Sequence, residues 1–133
     1  MAISVIGTPQ TRAANNGGLV TLTWSTRPST GDYTVVVVAA PAALAADVSV
    51  TAAYGYTRLA YYTGANNTIP AIGVFYKKQG ATTDTNVTCT GSNNSATDST
   101  AIGYVLRGVD ATTFSDQTPT AAGPTTSTNP DPA

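Results

Sequence analysis

Neither glutamate nor histidine occurs in the 133 residues, cysteine occurs once, and charged side chains make up only 10% of the chain. Each shortage removes a class of chemistry. Without imidazole the most versatile general base and the commonest transition-metal ligand are missing. The single thiol, Cys89, can form no intrachain disulfide and no CxxC or zinc arrangement; in an alternating strand it reads as a small buried hydrophobe. The six basic residues Arg12, Arg27, Arg58, Lys77, Lys78 and Arg107 are scattered, with only two of them adjacent, and the net charge is −1. That is no footprint for nucleic acid, and no nucleic-acid partner is expected. No apolar run is long enough to span a bilayer, and the opening MAISVIGTPQTR lacks a basic n-region and a long apolar h-region. No membrane partner or signal-peptide export is expected, and the chain reads as a product of the cytoplasm.

What the chain has in quantity is threonine, 25 residues of it, together with valine, alanine and glycine. This composition suits pleated sheet and turns. The length fits one domain with a tail, large enough for an apolar core without staples. A surface of Thr, Ser, Asn and Gly carrying so few charges, where about 25% is usual, offers little repulsion against association. It reads as a surface largely covered in an assembly, with a Thr/Asn-rich surface from a source that favours such residues as the competing explanation.

Short apolar runs separated by turn clusters give seven to nine strands. Ala2 to Thr8 reads as a first strand ended by Pro9, and Asn15-Asn16-Gly17-Gly18 as a turn. In Leu19 to Ser25, Val20, Leu22 and Trp24 alternate with threonines. Tyr33 to Ala40 (YTVVVVAA) is apolar on both faces, as in a central strand packed on both sides. Pro41 to Ala46 is the one helical candidate, a turn at most. Val48, Val50 and Ala52 alternate; Tyr54 to Tyr62 reads as two strands or one bent strand. Ile72, Val74 and Tyr76 share a face of the next strand, Val87 and Cys89 point inward from another, and Ile102, Tyr104 and Leu106 share a face of the last. The expected fold is all-β, an antiparallel two-sheet β-sandwich of Greek-key or jelly-roll type spanning residues 1–110. Residues 111–133 are rich in Thr and Pro, with Phe114 the last large apolar side chain, and read as an extended C-terminal arm.

Candidate chemistry is sparse. All seven acids are aspartates at expected turns, where capping of local backbone is the usual role, and no DxDxDG calcium loop is present. A serine or threonine nucleophile would have only Lys77 or Lys78 as base, with no GxSxG or SxxK motif; the two lysines read as the solvated end of a strand. Phosphate-loop glycine patterns are absent. No catalytic residue, no metal and no cofactor is expected. The remaining signal is aromatic: Trp24, Tyr54, Tyr56, Tyr61 and Tyr62 are candidate platforms for a protein interface or a glycan, with sheet packing as the competing explanation.

The stretch IGVFYKKQGATTDTNVTCTGS, followed by TAIGYVLRGVDATTFSDQTPTAAG, resembles a pattern of tailed-bacteriophage virion proteins. Its parts are a VFYK strand, a Thr/Val strand, and an apolar strand closing in RGVD before a Thr/Pro-rich run. GDYTVVVVAA is similar to the GD turn and apolar strand of the same domain. The likeness covers about two thirds of the chain and rests on strand and turn patterns rather than ligands. It implies a β-sandwich of a capsid decoration or tail structure, with no catalytic role for Arg107, Gly108, Val109 or Asp110. Related proteins continue where this chain enters its Pro-rich arm. The resulting expectation is a non-enzymatic virion structural protein, most of all a capsid decoration or cement protein, made in the host cytoplasm. Its partners would be the major capsid protein or other virion proteins and further copies of itself, a trimer among the options, with Phe114 as a contact of the arm. The alternative is a carbohydrate- or receptor-binding module of a tail or fibre.

Overall fold

The structure is a computed structural model that describes residues 2–14, 19–40, 48–62, 71–90 and 99–110. Among the described residues nine strands follow in chain order: β1 (Ser4–Val5), β2 (Gln10–Ala14), β3 (Leu19–Thr23), β4 (Tyr33–Ala40), β5 (Ser49–Val50), β6 (Thr57–Tyr62), β7 (Ala71–Lys78), β8 (Asn86–Thr90) and β9 (Ser99–Arg107). A 3-10 turn, Ala52–Tyr54, lies between β5 and β6 and ends on Gly55 in the left-handed conformation. The larger sheet runs β1-β9-β4-β7-β6, with β2 also on β9; the smaller runs β3-β8-β5. Every pairing is antiparallel. The protein is an all-β two-sheet sandwich, as its strand spacing implies.

The winding is that of a jelly roll. Strands β2 to β5 descend the roll, and their partners return in reverse order: β2 pairs β9, β3 pairs β8 and β4 pairs β7. The fourth pair departs from this plan, because β6 joins β7 in the larger sheet instead of closing on β5. A register shift between Arg58 and Ala60 bends β6 at that edge.

Alternation places the core. From the smaller sheet come Val20, Leu22, Val48, Val87 and Cys89, with Trp24 just beyond the end of β3; from the larger come Val36, Val38, Phe75, Ala101 and Val105. Burial pushes the Cys89 thiol up to about 12, consistent with its expected role as a small hydrophobe. Two inward positions are glycine because an aromatic ring occupies the space a side chain would need. A Cβ at Gly103 would lie 2.6 Å from the Trp24 ring, and one at Gly73 would lie 2.6 Å from the Phe75 ring.

The start of the chain differs from what its residues suggest. Only Ser4–Val5 of the expected first strand pairs, and Gln10–Ala14 forms a strand that the reading passed over. QTRAA has no apolar alternation; as an edge strand it is held by backbone pairing with β9 rather than by side-chain burial. The expected turn at Pro41 to Ala46, the arm over 111–133 and Phe114 lie outside the described residues.

Candidate functional site

Most of the charged side chains with defined partners gather at one end of the sandwich, where β4 begins and β7 and β9 end. The carboxylate of Asp32 accepts from Nε and Nη2 of Arg107 at 2.8 and 2.7 Å, and from the backbone amide of Ser29 at 2.8 Å. Arg107 also donates to the Ser29 hydroxyl at 3.1 Å. This two-toothed grip is the strong form of a charge-assisted hydrogen bond. The Arg107 hydrogen bond holds Asp32 below the ordinary carboxylate range against the opposing effect of burial, with the Ser29 amide adding to it.

Beside this pair, Gln79 is 1% exposed and uses nearly everything it has. Its side-chain amide donates to the Thr34 hydroxyl at 2.8 Å and to Asp84 at 3.1 Å, and its carbonyl accepts from the Asp84 amide at 2.9 Å. Its backbone N–H donates to the Asp32 carbonyl and its backbone carbonyl accepts from Gly31, both at 2.8 Å. Tyr56 donates to the same Thr34 hydroxyl at 2.8 Å, and burial raises its phenol above the usual range. Lys77 completes the group: its ammonium meets both Asp84 oxygens at 3.0 and 2.8 Å. Lys77 is therefore not the solvated strand end expected of it. It faces the inner side of a strand with neighbours on both edges, and only Lys78 is exposed.

Chemically, the Arg107 hydrogen bond and the Ser29 amide favour the ionised form of Asp32, while the Lys77 ammonium and the Gln79 amide fix the position of the Asp84 carboxylate. Among the described residues no three metal-ligating side chains come together. The network ties the 24–32 and 79–85 loops to the larger sheet. The sequence contained its parts, the GD turn and the RGVD strand end, but Asp32 and Arg107 are 75 residues apart and only the winding of the roll joins them.

The five aromatic candidates are not brought into one patch. Trp24 is 7% exposed and lies over Gly103 in the core. Tyr54 donates to Asn86 Oδ1 at 2.8 Å on the flank of the smaller sheet. Tyr56 belongs to the polar network, and Tyr61 packs against the core with the Arg58 guanidinium 4.9 Å from its ring centre. Tyr62 pairs with Ile72 on the opposite side of the larger sheet.

The two outer faces of the sandwich differ sharply. On the smaller sheet Thr21, Thr23, Asn86, Thr88 and Thr90 point out, with Leu19 exposed at one end beside Thr90 and with Thr21 and Thr88 hydrogen-bonded across the strands at 3.0 Å. This is the polar face that a solvated antiparallel sheet carries. On the larger sheet the outward positions of the three central strands carry Val35, Val37, Val74 and Ile102 side by side, with Ile72 and Leu106 near the ends. Ile72 is 42% exposed and the others are half-buried. Tyr33 and Tyr76 stack on the same side with ring centres 6.4 Å apart. No family model, no curated protein and no solved structure matches this chain.

Proposed function

We propose that this chain is a non-enzymatic structural protein of a tailed-phage virion, a decoration or cement protein that strengthens a shell through contacts between subunits. The observation that carries the reading is the outer face of the larger sheet, aliphatic across its central strands where the smaller sheet shows threonine. Apolar area of this kind stabilises an assembly when it is removed from water at a subunit contact. The jelly-roll winding supports the reading by analogy, since viral capsid domains use it, and lectin domains share it. The likeness of the GD, VFYK and RGVD segments to virion proteins points the same way. A carbohydrate- or receptor-binding module draws less support, because the rings that would form its platform are divided among the core, the polar network and two different faces.

The test is particle association. Virions sedimented from cells that produce this chain, analysed by peptide mass spectrometry, should contain it at a copy number comparable with the shell protein. Recovery only in the supernatant, with particles that form and survive heating equally well when the gene is deleted, would remove the structural reading.

A further inference from the structure

The sequence of β4 is that of a strand covered on both faces, and the structure covers one. Among the described residues every strand lies in the larger sheet itself or in the sheet against its inner face, and the 3-10 turn sits against β8. Val35, Val37, Ile72, Val74, Ile102 and Leu106 thus form an aliphatic surface that no described element packs over. The rest of the chain has little to cover it with. Outside the described residues the large apolar side chains are Met1, Leu44, Ile69 and Phe114 alone.

We infer that this face is covered by the same face of a second copy, the two larger sheets packing against each other about a two-fold axis near Val37. The inference rests on the assembly reading above and names its first contact. Three features favour a second copy. From strand spacing and rise, the outer face across all five strands, with Val5, Tyr62, Tyr76 and Tyr104 included, measures on the order of 600 Å². Two copies together would bury roughly 1,200 Å², the lower bound for a specific interface, and a face of this size stands at the upper end of the patches a solvated monomer exposes. The outward positions of β4, β7 and β9 carry one charge, Lys78 at a strand end, so self-contact brings no like charges together at the centre. An isologous contact also needs only one surface, and aliphatic side chains alternating along strands interdigitate with their own copies as facing sheets do in a sandwich.

Light scattering on the full chain during size exclusion, across micromolar to submillimolar loadings, should give twice the chain mass. Val37→Lys should give the monomer mass with an unchanged circular dichroism spectrum, its dissociation constant raised by at least about 100-fold because a lysine would be buried without a partner. Ile72→Lys, at a position already exposed, should do the same even if the Val37 variant fails to fold. Thr21→Lys, on the outer face of the smaller sheet, should remain dimeric. A wild-type monomer at every loading, a trimer or other ring, or folded Val37 and Ile72 variants that stay dimeric would each overturn the face pairing. The two readings fail separately: a monomer that is still found in particles removes only this contact, and a dimer absent from particles removes only the virion role.

Discussion

Single residues in this protein matter most where they have no room to change. Gly103 faces inward on β9, and a methyl group there would lie 2.6 Å from the Trp24 ring and 2.9 Å from Leu22. Gly103→Ala is expected to destabilise the fold by about 1–3 kcal/mol through overpacking. In a scanning melt this corresponds to a Tm lower by roughly 4–15 °C, accompanied by a change in Trp24 fluorescence. Asp32 contributes differently, through its charge. Its carboxyl is lowered in the folded state from 3.8, so its stabilising effect is fully present above that value and fades as pH falls through the lower folded value. Asp32→Asn should therefore lower stability at neutral pH and flatten the acid limb of a stability–pH profile below about pH 4; a limb as steep as in the parent would contradict this assignment.

At the scale of elements, the junction of β7 with the loop that follows depends on Gln79. Its amide serves Thr34 and Asp84 together, and removing it leaves buried polar partners unmatched. Gln79→Ala is expected to cost about 2–3 kcal/mol, read as a shift in denaturant midpoint at constant slope. Gln79→Glu should fare no better, since it would set a second carboxylate beside Asp84. How much of this was legible in the sequence varied by element. Alternation in VTLTW and the apolar run YTVVVVAA placed β3 and β4 because side-chain burial drives those strands. QTRAA carries no apolar alternation to mark β2, which is held to β9 mainly by backbone pairing, and Tyr54 to Tyr62 is the end of a 3-10 turn, a left-handed glycine and a bulged strand. Ile72, Val74 and Tyr76, like Ile102, Tyr104 and Leu106, share a face as their alternation implies, and that face is the outer one, while the core takes Phe75 and Val105 beside alanine and glycine. A sheet apolar on both sides carries no sequence mark that tells which side meets the second sheet. The polar network was illegible for another reason, since its two halves meet only after the roll has closed.

At the scale of the whole molecule, every strand and every core residue among the described residues lies at or before Arg107. A chain truncated after Asp110 is therefore expected to fold, with a far-ultraviolet spectrum and a Tm matching the parent within about 4 °C, the shift that about 1 kcal/mol produces in a domain of this size. A truncated chain that stayed unfolded would show that the tail belongs to the folding unit. The winding also has a consequence for how the protein is made. Strand β9 lies between β2 and β4, so the first strands translated wait for the last before their sheet can close. At about 5–20 residues per second that wait is on the order of 5–20 s. Throughout it the edges of β2 and β4 that β9 fills stay unpaired on the ribosome, and open strand edges are where a nascent chain is most exposed to wrong pairing.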